Sequence, residues 1–327
     1  MESSLRPMTL GEILDRTVQL YRSNFLLFAG ISIPYAGVLL VLGLLQIGLT
    51  ETLRMTHTAE QLQVLTVTTA GIILPISFLI YGIVMAATIR AVAWVHLGKP
   101  ATIRGAYASI LPRWGRYLWL MIITGLIVFT PLVLLYYCYF GIMSHYVTGF
   151  GTDPAAQQAA MSNPQTLVII GAASLFFMLL LIPIVVYTIL MGVRYSLAVP
   201  ACVVEKLKVR PAIRRSIHLA RGSWGRIFLL WLLVFVIKLG VVGLTQFFIF
   251  VSAFKHPGQM PGPGISALST VIGFFTNTLL GPIWAAGIAL FYFDQRVRKE
   301  GYDIEWMMQA AGLAAPDTPQ NPGAAHE

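Results

Sequence analysis

Six long apolar stretches dominate this sequence: 25–49, about 64–94, 117–140, 166–193, 227–251 and 265–293. Each exceeds the roughly 20 residues with which an α-helix crosses a bilayer core of about 30 Å. Backbone polar groups in hydrocarbon must be paired within the segment itself, and a helix does that. Composition agrees: 57% of residues are hydrophobic and 11% charged, where a soluble domain carries about 25% charge. A soluble globular protein and a disordered chain are both excluded. The expected fold is all-α and integral to the membrane, with six transmembrane helices. The second and sixth stretches are longer than a crossing needs, so they are expected to tilt or to extend past the membrane. The first 24 residues are mixed polar and include Glu12, Asp15 and Arg16, so no cleavable signal peptide is visible. The first span is expected to serve as its own insertion signal.

The basic residues set an orientation. Of 22 Lys and Arg, 19 fall in the N-terminus and in the segments 90–116, 194–226 and 296–299. Only Arg54 and Lys255 fall in the alternate connections, and Lys238 lies inside a span. Cytoplasmic loops carry such an excess, so both termini are expected in the cytoplasm, as in a multi-pass protein of the bacterial cytoplasmic membrane. The net charge of +9 is then accounted for by topology, and no nucleic acid is expected. Cys138 and Cys202 fall on opposite faces of the membrane, too far apart for a disulfide.

The basic segments have structure of their own. Thr9 and Glu12 read as a capping box, followed by Leu10, Ile13, Leu14, Thr17 and Tyr21 on one helical face. Thr102 is a second cap, with the stripe Ile103, Ala106, Tyr107, Ile110, Leu111 and Trp114. Pro211 suits the first turn of a third helix, with Ile213, Ser216, Ile217, Ala220 and Trp224 on one face. These read as amphipathic helices of the headgroup region. Each leads into an odd-numbered span, and Trp-Gly-Arg occurs at both 114–116 and 224–226. Each even span carries a Pro-Ile pair, at Pro75, Pro183 and Pro282, and ends in Arg90, Arg194 or Arg296. The expected organisation is one polytopic domain over 1–313, built as three parallel repeats of about 8–97, 98–208 and 209–313. A fourth amphipathic piece is expected from Asp303 through Ile304, Met307, Met308 and Ala311, and a disordered tail over 314–327.

Three motifs carry a resemblance. They are Leu5-Arg-Pro-Met-Thr-Leu-Gly-Glu-Ile-Leu-Asp-Arg16 with Tyr21-Arg-Ser-Asn-Phe25, and Tyr292-Phe-Asp-Gln-Arg-Val-Arg-Lys-Glu-Gly-Tyr-Asp303. The third is Leu197-Ala-Val-Pro-Ala-Cys-Val-Val-Glu205, followed by Arg214-Arg-Ser216 and Arg221-Gly222. Together the chain resembles the membrane domain found in some bacterial glycerophosphoryl diester phosphodiesterases. In those enzymes the membrane domain precedes a catalytic barrel. A barrel takes about 250 residues, and no extramembrane stretch here approaches that. The resemblance therefore implies a stand-alone membrane domain, and the catalytic activity is not carried over.

Lys238 is the candidate ligand-binding residue. It lies near the middle of the fifth span, where an ionisable side chain usually marks a site, and no Asp or Glu lies in a span core to pair with it. One reading gives it an anionic lipid or metabolite. The plainer one has it solvated by Asn277 and by carbonyls that Pro183 and Pro282 free near Leu179 and Thr278. Arg90, Arg194, Arg296 and Arg298 form a candidate rim for lipid phosphate, or simply anchor the basic face. Asp294 and Glu205 are candidate structural ion-pair partners for these arginines. His96, His145, His218 and His256 stand singly, so neither a metal site nor a cofactor is expected. No nucleophile–base pair is visible, and no catalytic residue is named.

Three functions are weighed. The first is a lipid- or solute-handling membrane protein that binds an anionic lipid or metabolite near the midplane. The second is a non-catalytic scaffold or regulatory module that binds a partner protein, and the third, last in order, is an intramembrane phosphodiester-related enzyme. An accessible cavity containing Lys238 favours the first, and a solid core there favours the second.

Overall fold

The computed structural model of the chain describes residues 6–53, 59–148, 162–255, 262–302 and 304. The piece expected at Met307, Met308 and Ala311 and the tail 314–327 lie outside the described residues. Among those described there is no strand, and six helices are long and apolar enough to cross a membrane. The long helices are α2 (Phe25–Leu53), α3 (Ala59–His96), α5 (Trp114–Thr148), α6 (Pro164–Tyr195), α9 (Trp224–Lys255) and α10 (Pro263–Glu300). Four short ones are α1 (Leu10–Ser23), α4 (Ile103–Ile110), α7 (Ala198–Val204) and α8 (Val209–Ala220). The short helices adjoin the long-helix ends at Phe25, His96, Trp114, Tyr195 and Trp224, so all four gather at one end of the bundle, here the basic end.

Local signals explain the starts. Thr9 Oγ1 accepts from the Glu12 backbone N–H, and the Glu12 carboxylate accepts from the Thr9 N–H at 2.7 Å, a closed capping box. The Thr9 hydrogen bonds and nearby Arg6 hold the Glu12 carboxyl below the usual carboxylate range. Thr102 caps α4 through the Gly105 N–H. The short helices pack part of their apolar stripes into the protein. Ile13, Thr17 and Leu20 of α1, Ala106 and Ile110 of α4, and Ala212, Ser216 and Leu219 of α8 are buried within the protein, while Ile103, Leu111 and Trp114 are exposed. α7 is almost wholly buried, including Pro200 and Cys202, and was not anticipated as a separate helix.

The core lies toward the basic end. It gathers the ends of α3 and α10 with α7, and Tyr292, Phe291, Phe293, Ile89 and Leu197 are fully buried there. α2 packs along α10 closely enough that a Cβ on Gly43 would stand 2.7 Å from Thr270 Cγ2. At Gly37, Gly240 and Gly243 a Cβ would meet no described atom within 4 Å.

Proline does not break the helices, and it is not confined to even spans. α3, α6 and α10 run through Pro75, Pro183 and Pro282, and α2 and α5 run through Pro34 and Pro131. A helical proline frees the carbonyl four residues earlier; tyrosines from other helices reach one such carbonyl, Ile127 O, and two that stand one residue further on, Ile31 O and Leu279 O. Tyr187 OH donates to Ile127 O at 3.1 Å before Pro131. Tyr107 OH donates to Ile31 O at 2.6 Å before Pro34, and Tyr21 OH to Leu279 O at 2.7 Å before Pro282. The Ile127 carbonyl, unpaired in hydrocarbon, would be costly, so the Tyr187 bond satisfies the turn at Pro131, and all three bonds dock a neighbouring helix. Tyr187→Phe is expected to cost about 1–3 kcal/mol. The measurement is a lower thermal midpoint in detergent, beside an unchanged midpoint for the exposed Tyr137→Phe.

Candidate functional site

Two clusters tie the basic end together, and they absorb part of the expected rim. In the first, the Asp294 carboxylate has no exposed side-chain surface. Its Oδ1 accepts from the Met8 backbone N–H at 2.8 Å, and both oxygens accept from Arg298 Nε at 3.0 Å. Oδ2 also lies 3.2 Å from Arg226 Nη1 and accepts from Gln295 Nε2. The same two arginines donate to Met8 O, at 2.8 Å from Arg226 and 2.6 Å from Arg298. Ser223 Oγ donates to Gln295 Oε1 at 2.9 Å. One carboxylate thus joins the segment before α1, the start of α9 and the end of α10.

In the second cluster, Glu205 accepts from Arg215 Nε at 3.0 and 3.1 Å and from the Tyr292 hydroxyl, and it lies 3.8 Å from Arg296. Glu300 bridges Arg215 and Arg296, and the Arg296 guanidinium stacks over Tyr302 at 4.0 Å. Arg296 and Arg298 are therefore engaged by carboxylates. Arg90 and Arg194 meet no carboxylate among the described contacts, and the Nε of each is buried without a hydrogen-bond partner.

The midplane candidates are not brought together by any described contact. Lys238 is half-buried between the exposed Ile237 and Leu239 and lines none of the described cavities. Asn277 Nδ2 donates to Gly273 O of its own helix at 2.9 Å. Asn277 also borders a void of about 10 Å³ among Ser32, Tyr35, Tyr81 and Thr88, about the size of one water. Thr278 is buried and its hydroxyl has no partner. His96 is buried against the Phe293 ring at 5.2 Å, His145 and His256 have no described side chain, and among the described residues no group of His, Cys, Asp and Glu could hold a metal.

The concave features lie elsewhere, along α3, α5 and α6. A cavity of about 380 Å³ is lined by Tyr81 and Met85 of α3, Met121 and Gly125 of α5, Gly192 of α6 and Trp231 of α9. A second, of about 770 Å³, follows the same three helices away from the basic end, with Pro75, Tyr136, Tyr139, Phe177 and Leu181 on its walls. From Met121 to Tyr139 the two cover about 27 Å of α5 at 1.5 Å per residue, close to a full hydrocarbon thickness. Among the described residues, no Asp, Glu, Lys or Arg lines either one. The Thr and Ser hydroxyls in the first are turned into backbone: Thr124 donates to Leu120 O, Thr188 to Ile184 O and Ser196 to Val193 O. The walls offer hydrocarbon, aromatic faces and soft methionines, a surface for an apolar ligand.

These features define a six-span α-helical membrane protein with a lateral apolar seam. Comparison with family models, curated proteins and solved structures finds no match to the chain.

Asp294→Asn removes the charge on which two arginines and one backbone amide converge. Breaking a buried pair costs about 3–5 kcal/mol, so a strongly lowered thermal midpoint is expected, with faster proteolysis after Arg6. An unchanged midpoint contradicts this role.

Proposed function

We propose that this chain is a lipid-handling protein of the bacterial cytoplasmic membrane, with cytoplasmic termini and no catalytic activity of its own. The single observation that carries this reading is the charge-free seam between α3, α5 and α6, long enough for an acyl chain. The charge bias across the spans supports the orientation. The end motifs that resemble the membrane domain of glycerophosphoryl diester phosphodiesterases fit a membrane module. Three units, each a short helix followed by a helical pair, remain part of the proposal. The two Trp-Gly-Arg junctions support it: Arg116 donates to Lys206 O and Leu207 O, and Arg226 to Met8 O.

A second reading, a scaffold for a partner protein, is favoured by Lys238, which lines none of the described cavities, and by α6. In the most apolar stretch of span 164–204, no residue is buried inside the protein. A partner's helix would cover that face where lipid otherwise does.

Filling the seam tests the first reading. A Cβ on Gly192 or Gly71, one in each cavity, meets no described atom within 4 Å. Gly192→Leu and Gly71→Leu are therefore expected to fold normally. Native mass spectrometry should show lipid on the wild type and on Lys238→Ala, and several-fold less on the two leucine variants. Loss on Lys238→Ala alone would move the site to the midplane lysine. Retention in all three would favour the scaffold.

A further inference from the structure

The seam leaves a third cavity unexplained. It lies at the basic end, measures about 370 Å³, and is lined by Arg90 and Trp94 of α3, Ser109 of α4, Pro112 and Arg113 after it, and Lys206 after α7. Three cations share this space, and among the described residues no carboxylate lines it. The nearest acidic residue in sequence, Glu205, is committed to Arg215 and Tyr292. Lys206 takes a left-handed backbone with φ of 55°, an uncommon conformation for a residue with a side chain. Adjacent residues of opposite charge thereby serve different clusters. The loop is held in place from the other side, because Arg116 donates to Lys206 O at 2.7 Å and Leu207 O at 3.2 Å.

Arg90 is only partly satisfied. Its Nη2 donates to Val203 O, but its Nε is buried without a partner. Four other arginines at this end meet carboxylates, Arg226 and Arg298 at Asp294 and Arg215 and Arg296 at Glu205 and Glu300, whereas Arg194, like Arg90, meets none among the described contacts. Here like charges are gathered without a counter-charge, an arrangement that favours an anion. Two guanidinium groups and an ammonium suit an acceptor with several charged oxygens, since the planar fork of Arg matches phosphate.

We propose that this pocket is a binding site for a phosphate group, held by Arg90, Arg113 and Lys206. The phosphate is the headgroup of an anionic lipid or a soluble phosphate, and the recognition chemistry is the same. The site does not rest on the seam being occupied.

The test uses the purified full chain in a neutral detergent. Phosphatidylglycerol or phosphatidylcholine is added and read by native mass spectrometry, and inorganic phosphate is read by thermal shift. The Arg113→Gln/Lys206→Gln variant removes two exposed side chains and is expected to fold. The Lys208→Gln/Arg210→Gln variant removes the same charge from exposed positions at the same end, outside the pocket. Wild type and the second variant should bind the anionic ligand alike, and the first should bind it about tenfold more weakly. Phosphatidylglycerol retained over phosphatidylcholine, and not displaced by millimolar phosphate, assigns the site to a lipid headgroup. Stabilisation by phosphate that the first variant alone loses assigns it to a soluble anion. Equal weakening in both variants, or no response to either probe, overturns the proposal.

Discussion

A single buried carboxylate organises the basic end of this molecule. Asp294 holds the N-terminal segment through Met8 and two helices through Arg226 and Arg298. An isolated charge at that depth would be prohibitive. Here its hydrogen-bond capacity is taken by a backbone amide, two guanidinium groups and a side-chain amide. The arginines in turn satisfy Met8 O, so neither partner is left half-paired. α1 is thereby fixed against α10, which places Tyr21 at the Leu279 carbonyl. Polar closure at the surface and a helix contact deeper in the bundle are one mechanical unit.

The spans were legible because hydropathy and length are properties of a contiguous segment. The caps at Thr9 and Thr102 were legible for the same reason, since donor and acceptor lie three residues apart. The seam was not. Its long helices are apolar nearly all round, so periodicity does not say which face meets which. Gly71, Met121 and Gly192 become neighbours of cavities only through the relative placement of three helices. Lys238 drew attention because a charge in hydrocarbon stands out in a sequence. The signal that pointed to more was quieter: tyrosines placed to reach carbonyls upstream of Pro34, Pro131 and Pro282. The rim arginines looked alike in sequence and separate in space, because Glu205, Asp294 and Glu300 face Arg296 and Arg298 but not Arg90.

The basic end is thus divided electrostatically. One side is neutralised by carboxylates and acts as a clasp between α8, α9 and α10. The other, around Arg90 and Arg113, keeps its positive charge. A uniform positive bias would explain membrane orientation, but it would not explain why acids gather on one side only.

The six spans also differ in what surrounds them. Half of the apolar window of α10 is buried in protein, and none of that of the span beginning at Pro164 is. α10 is therefore a post whose position is set by side-chain packing, which yields little to small forces. α6 leans mainly on α5, with lighter contacts to α8 and α9. A bilayer that thickens or thins does work on such a helix at fractions of a kcal/mol per Å, while the post stays where its core holds it. The seam that α6 walls with α3 and α5 therefore has one side with little of the protein behind it.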